Sequence, residues 1–208
     1  MKLNFKEGRG NKIHIYVDGD YRMTVDRDFV SSLSRGENSE INEEELADLE
    51  RAVSSRRAFN KAVDLLSRRD HSVKELSVKL RQRGFTDEIE VALEKLSSYG
   101  YLDDERFARN FANELVRLKG YGRRRIEEEL FRKGISRDII SVVLEETEFP
   151  EDKLTEIIRR KYLRFLDDEK GVKKTISALL RMGYSYGEIK TALEKTGTET
   201  EDDGYDLG

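Results

Sequence analysis

Arg123, Arg124 and Arg125 stand directly after a Gly-Tyr-Gly joint, and of all the charged residues they say most about chemistry. They fall in the first turn of a helix marked out by Ile126 and Leu130, where the helix dipole is positive and a surface cation is disfavoured by about 0.3–1 kcal/mol. An anion, either a phosphate or an acidic protein patch, would gain from the guanidinium groups and the free N–H groups of a helix start together. The same helix also carries its own counter-charges. Glu127, Glu128 and Glu129 stand four residues after the three arginines, and Arg132 and Lys133 stand four after Glu128 and Glu129, a spacing at which helical side chains meet. Both readings stay open. Lys74, Lys79, Arg81 and Arg83 occupy a corresponding earlier helix, and Lys173, Lys174 and Arg181 a later one. The expectation is a basic ridge that includes Arg81, Arg83, Arg123, Arg124, Arg125, Arg132, Lys133, Lys173, Lys174 and Arg181 and meets something that itself repeats.

Other candidate chemistry is thin. Asp103-Asp104-Glu105 and Asp167-Asp168-Glu169 have metal-ligand side chains, but adjacent helix positions fan outward, and capping accounts for the first cluster. His14 sits in a hairpin and His71 in a helix joint, with no serine and carboxylate attached to either, and both read as surface or loop histidines. There is no Walker loop, no dinucleotide fingerprint and no cysteine. No enzyme, metal, cofactor or small-molecule substrate is expected.

The elements that must position the arginines form a repeat. Leu80 with Gly84-Phe85, Leu130 with Gly134-Ile135 and Leu179 with Gly183-Tyr184 share one closing signature, at intervals of 50 and 49 residues. Gly84, Gly134 and Gly183 read as helix C-caps with an apolar anchor, and Gly120 as the stop of a preceding helix. Ser72 and Asp103 read as N-caps, Ser72 in a capping box with Glu75, and Leu102 as a staple onto Phe107. Phe107, Phe111, Leu115 and Leu118 have the spacing of one buried helical face. A third copy begins at Phe149-Pro150 with a stripe of Leu154, Ile157, Ile158, Tyr162 and Phe165, and Gly171 separates it from the next helix.

Ahead of the repeats, Lys12 to Asp26 alternates with a period of two around Asp18-Gly19, which predicts a β-hairpin with Ile13, Ile15, Val17, Tyr21, Met23 and Val25 on one face. A third short strand from Leu3 to Phe5 is expected, docked on the first helices or paired with a partner. A helix capped by Asn42 and Glu45 runs through Leu46, Leu49 and Val53 towards Phe59, Val63 and Leu66, with a kink at Ser54-Ser55. The fold class is therefore mainly α, three tandem three-helix repeats in an elongated array after a small β-hairpin. Its expected segments are 1–36, the hairpin region; 42–100, the long first helix and repeat 1; 101–147, repeat 2; 148–195, repeat 3; and 196–208, a disordered acidic tail.

Charged residues make up 39% of the chain, against roughly 25% in an average domain, so helices with wide solvated faces are expected. The net charge of −4 argues against the whole molecule as a nucleic-acid binder, yet residues 55–138 hold 20 basic and 15 acidic residues and 153–190 hold 10 and 5. No run approaches the roughly 20 apolar residues of a membrane span, and the start lacks the apolar core of a signal peptide, which predicts a cytoplasmic protein with no membrane partner.

These residues resemble the RecX family of recombination regulators. The likeness rests on SVKELSVKLRQRGF, on YGYLDDERFARNFANELVRLKGYGRRRIEEELFRKGI and on VKKTISALLRMGYSYGEIKTALE, and it covers most of Phe59 to Lys195. The acidic link from Glu37 to Glu50 and the acidic tail fall outside the pattern and inherit no role from it. What the resemblance implies is a non-enzymatic modulator of the RecA recombinase. It would bind the RecA filament on single-stranded DNA and suppress ATP hydrolysis, strand exchange and filament growth. The alternative is a helical DNA-binding protein that holds single- or double-stranded DNA through its phosphates, and a third reading is a helical adaptor for an unrelated protein.

Overall fold

The computed structural model describes residues 1–33 and 35–198. It opens with a three-stranded antiparallel sheet of Leu3–Glu7 (β1), Lys12–Val17 (β2) and Asp20–Asp26 (β3) in the order β1-β2-β3. Asp18 and Gly19 both take left-handed backbone, φ 51° and 93°, which is what a two-residue reversal between twisted strands requires. Ile13, Ile15, Val17, Met23 and Val25 are buried on one face, against Phe29 of the short helix Arg27–Ser31 (α1) and Leu46, Leu49 and Val53 of Glu43–Leu66 (α2). Tyr21 does not join them. The register slips between Ile15 and Tyr16, so that Ile15 faces Met23 but Tyr16 faces Tyr21, and the extra residue turns Tyr21 outward to 55% exposure. There it meets the ring of Tyr16 edge-on at 5.9 Å and shares a 2.9 Å hydrogen bond with the Thr24 hydroxyl.

α2 starts with a complete capping box. The Glu45 amide donates to Asn42 Oδ1 at 2.9 Å and the Asn42 amide to the Glu45 carboxylate at 3.0 Å. It runs unbroken through Ser54-Ser55. Its buried edge beyond Val53 is Ala58, Ala62 and Leu65, while Val63 is 39% exposed. Small alanines let a neighbour approach closely, and a count of large apolar residues misses them. Val73–Arg81 (α3) and Glu88–Ser98 (α4) complete the first triplet, with Lys95 of α4 over the Phe59 ring at 5.2 Å.

The second triplet is Asp104–Glu114 (α5) with a π-helical turn Leu115–Lys119, then Arg123–Arg132 (α6) and Arg137–Glu146 (α7). Its core is Phe107, Ala108, Ala112, Leu115, Val116, Ile126, Leu130, Ile135, Ile140, Val143 and Leu144. Leu118 lies outside it, 60% exposed, because the wider turn breaks the helical spacing after Glu114 and brings Val116 inward instead. The third triplet is Lys153–Ile157 (α8), continued by a π turn Ile158–Tyr162 and a 3-10 turn Leu163–Phe165, then Glu169–Arg181 (α9) and Tyr186–Glu194 (α10). Leu154, Ile157, Ile158, Ile176, Leu179, Tyr184, Ile189, Ala192 and Leu193 form its separate core, and Phe165, past the unwound turn, is 47% exposed. Gly171 is not a break between helices. It lies in the first turn of α9, with its amide on the carboxylate of the N-cap Asp168 at 2.6 Å.

One turn ends α3, α6 and α9. In each, the glycine amide bonds the carbonyl three residues back and the next amide bonds the carbonyl five back, as Gly183 to Leu180 at 2.9 Å and Tyr184 to Leu179 at 3.3 Å. This is the Schellman turn, with Gly84, Gly134 and Gly183 at φ 86°, 84° and 90°. Thr196 to Thr198, grouped with the tail above, belong to a further turn of this kind after α10, where Thr198 bonds Leu193 at 3.2 Å. Residues 199–208 lie outside the described residues. The chain divides into two units, 1–65 with 79–96, and 66–78 with the chain from Ser97 onward, so that α3 contributes to both. Among the described residues no helix is long and apolar enough to cross a membrane.

Truncation should separate the two leucines that a helical count treats alike. Leu130→Ala, at a fully buried position, is expected to lower the unfolding free energy by about 2–5 kcal/mol, and Leu118→Ala to change it by less than about 0.5 kcal/mol, read from urea denaturation midpoints.

Candidate functional site

The arginine triplet is positioned by a joint between two helix ends. At the start of α6 the Gly122 amide donates to the Met182 carbonyl at 2.8 Å and the Arg124 amide to the Gly183 carbonyl at 3.3 Å. The carbonyls that α9 leaves unpaired at its end thus satisfy amides that α6 leaves unpaired at its start. The Tyr184 hydroxyl adds a 3.0 Å bond to the Gly120 carbonyl, and burial, with the Glu188 charge adding to it, pushes the phenol up to about 12. Contact is close because no side chain intervenes. A Cβ on Gly122 would lie 2.6 Å from the Gly183 carbonyl, and one on Gly183 would lie 2.3 Å from the Arg125 nitrogen. An incoming anion therefore does not find the amides of Gly122 and Arg124 free, contrary to the simplest reading of three arginines at a helix start.

The same meeting of ends recurs between α6 and α3. The Ser72 hydroxyl donates to the Lys133 carbonyl at 2.6 Å and accepts from the Glu75 amide at 3.1 Å, while the Val73 amide donates to the Asp104 carboxylate at 2.8 Å. Burial pushes the Asp104 carboxyl up, opposed by that amide and reinforced by Asp103. Glu75 does not close a capping box with its carboxylate, which pairs instead with Lys133 at 2.5 Å and Arg69 at 3.2 Å. Burial pushes the Glu75 carboxyl up, but hydrogen bonds and charge from Arg69 and Lys133 outweigh it and hold the group at about 2.

These joints decide which cations face solvent. Lys133 is held by Glu75 and lies over the Phe111 ring at 5.2 Å. Arg123 donates to the Leu144 carbonyl at 3.1 Å, near the end of α7. Arg125 pairs with Glu128 at 3.0 Å and Glu129 at 2.8 Å beside the Tyr121 ring, and Arg132 reaches the same two carboxylates. Lys173 pairs with Glu169 one turn back. Arg81, Arg83, Arg124, Lys174 and Arg181 are exposed and make no ion pair among the described residues. Arg124 and Arg181 flank one joint, since the Arg124 amide binds the carbonyl two residues beyond Arg181. Lys174 and Arg181 line a shallow concavity on α9 together with Glu169, Lys170, Lys173 and Ser177. Lys170 escaped the sequence reading, although its spacing of four, three and four to Lys174, Ser177 and Arg181 places it on their face.

The acidic clusters are committed elsewhere. Asp103 caps α5 through the amides of Glu105 and Arg106 at 3.0 and 2.9 Å, and Glu105 pairs with Arg109, which also holds Glu146 at 2.7 Å. His71 lies in the loop before α3, as read, but is buried there at 4% exposure with its Nδ1 2.9 Å from the Arg69 carbonyl. His14 is half-buried against the Thr24 hydroxyl at 2.7 Å.

Residues 58–96 match the family model described as RecX, first three-helix domain, and residues 103–144 the model described as RecX, second three-helix domain. The chain is similar to the regulatory protein RecX of Caldanaerobacter subterraneus subsp. tengcongensis, at 32% identity over 192 residues that cover 92% of this chain and 96% of that one. It is also similar to the RecX of Clostridioides difficile, at 30% identity over 200 residues and 93% of each chain. A crystal structure of regulatory protein RecX superposes with a TM-score of 0.68 at 20% identity, covering 95% of this chain and 98% of that one. That of RecX from Lactobacillus salivarius superposes at 0.62 and 23% identity, covering 70% and 98%, and at such identities the likeness speaks for the fold alone.

Two substitutions probe the joints. Gly84→Ala meets no neighbour and should cost only the left-handed backbone penalty, about 1–2 kcal/mol, whereas Gly183→Ala adds a clash with the Arg125 backbone and should cost at least about 3 kcal/mol, with hydrogen-exchange protection lost at the Gly122 and Arg124 amides. Because the Glu75 carboxyl is depressed, its contribution is complete above the ordinary value of 4.5 and is lost as pH falls through about 2. Glu75→Gln should therefore be less stable than the parent at neutral pH by about 1–2 kcal/mol, allowing for solvent screening at a partly exposed group, and the gap should close in acid when urea midpoints are followed against pH.

Proposed function

The chain belongs to the RecX family of regulatory proteins, and from that premise we propose that it acts on the RecA recombinase, by binding and not by chemistry. On this reading it engages the RecA filament assembled on single-stranded DNA, in the cytoplasm, and modulates it chiefly by inhibiting ATP hydrolysis, strand exchange and filament growth. The observation that supports it best is the exposed set Arg124, Lys174 and Arg181, which make no ion pair among the described residues, whereas Arg125, Arg132, Lys133 and Lys173 are each paired with a carboxylate. Joints made of backbone hydrogen bonds hold this set on a stiff frame. Several individually weak contacts to a repeating polymer then gain from high effective concentration.

A second reading, DNA bound directly through its phosphates, is favoured by the same cations together with exposed Phe165, over which the Arg164 guanidinium lies at 4.7 Å. The overall acidic balance favours the protein filament as the principal partner.

The full chain bearing Arg124→Glu, Lys174→Glu and Arg181→Glu should need about tenfold more protein to inhibit the ATPase of a preformed RecA filament, with its thermal unfolding unchanged. Inhibition at the parent's concentrations would overturn the assignment of these residues. Tight binding to naked DNA that falls by decades between about 50 and 200 mM salt would favour the direct phosphate reading.

A further inference from the structure

We propose that the solvent face of the N-terminal sheet and a basic dent beside β3 form a docking site for single-stranded nucleic acid, with a base stacked on Tyr21 and a phosphate in the dent. The site lies inside one compact unit and involves none of Arg124, Lys174 and Arg181, so it stands or falls apart from the assignment of those cations. The bulge that takes Tyr21 out of the core also fixes where its ring goes. Tyr16 and His14 meet that ring at 77° and 65°, with centroids 5.9 and 6.1 Å away. One hydroxyl, that of Thr24, holds both the Tyr21 hydroxyl at 2.9 Å and His14 Nδ1 at 2.7 Å. Lys6 lies over the Tyr16 ring at 4.4 Å, which leaves Tyr21, 55% exposed, as the ring offered to solvent. An aromatic side chain braced in this way has little freedom left to lose when a base stacks on it.

Thr24 also ties this face to the dent. Its carbonyl accepts from the Arg57 guanidinium of α2 at 2.7 Å, and Arg57 joins Lys12, Asp26, Phe29, Arg56 and Asn60 around a cavity of about 60 Å³, which has room for a phosphate group and not for a base. Asp26 is the carboxylate in this lining, and Lys12 holds it at 2.8 Å. Arg56, over the Phe29 ring at 5.7 Å, and Arg57 make no ion pair among the described residues, so the dent keeps a net positive charge. Charge is graded along the sheet as well. Lys6, Arg9 and Lys12 stand at one end with Glu7, which Arg27 holds, and with Asp28 of α1; at the other end Asp18 and Asp20 are matched by Lys2 and Arg22. A phosphate is therefore drawn to the Lys12 end. From there to Tyr16, beside Tyr21, is four residues of strand, about 13 Å, a span of a few nucleotides.

The test titrates the full chain with a labelled oligothymidine of about 10 nucleotides, beside a duplex of the same length, and maps the contact by 15N amide shifts. The single strand is expected to move amides at 12–16, 21–26 and 56–60, and the duplex to bind more weakly, because its bases are already stacked. Tyr21→Ala should weaken the oligonucleotide about 5- to 100-fold, while Tyr21→Phe, which keeps the ring, should stay within about threefold of the parent. Arg56→Ala should lower the slope of log affinity against log salt by about 0.7, the share of one phosphate contact on a single strand. Parent affinity in Tyr21→Ala, equal binding of the duplex, or shifts confined to either the sheet or the dent overturns the proposal. The shifts should persist in the chain bearing Arg124→Glu, Lys174→Glu and Arg181→Glu, whose effect on RecA inhibition reports on those cations alone. Their loss there, with thermal unfolding unchanged, also overturns the proposal.

Discussion

Backbone hydrogen bonds between the end of one helix and the start of another are what the second and third triplets depend on. A helix leaves amides unpaired at its start and carbonyls unpaired at its end, and burying either without a partner is costly. Here the two deficits cancel. Carbonyls after α9 take amides of α6, and the carbonyl of Lys133 after α6 takes the Ser72 hydroxyl before α3. The positive pole of one helix thereby faces the negative pole of the next, an arrangement that also favours the contact electrostatically. Much else follows from this geometry. Gly122 and Gly183 have no space for a side chain, Tyr184 is drawn inward to Gly120, and Glu75 and Lys133 become an ion pair across the equivalent seam.

The joints also explain a charge pattern that looks wasteful in one dimension. Of the basic residues in the central helix, Arg125 and Arg132 share Glu128 and Glu129, Arg123 turns to a carbonyl near the end of α7, and Lys133 serves the seam. Of the cations expected in the basic ridge, the ones left with neither an ion pair nor such a carbonyl contact among the described residues are Arg81, Arg83, Arg124, Lys174 and Arg181. In a protein with 39% charged residues, most of the positive charge on this helix is thus spent on its own structure.

The repeat, its turn glycines and the hairpin were legible in the sequence because each rests on local rules: a Schellman turn needs a left-handed residue four after its first carbonyl, and an Asp-Gly reversal needs two. Register was less legible. Tyr21 turned outward on a bulge, and Leu118 and Phe165 were displaced by π turns, irregularities that leave no mark in periodicity. The alanine edge of α2 was missed because small residues carry little hydrophobic signal. The occupation of the α6 amides was out of reach, since the carbonyls that meet its first turn lie some sixty residues further along the chain. Among the cations, only the pairs within one helix could be anticipated.

Gly171 stands 49 residues after Gly122, but it lies inside the first turn of its helix and not before it, and its amide is met by the carboxylate of Asp168 where that of Gly122 meets the carbonyl of Met182. One side chain thus does for the start of α9 what a carbonyl of another helix end does for the start of α6. Surfaces that join head to tail are in principle able to join different molecules without closing, and such contacts grow into fibres. With its amide already on the Asp168 carboxylate, Gly171 has no N–H left over for a contact of that kind.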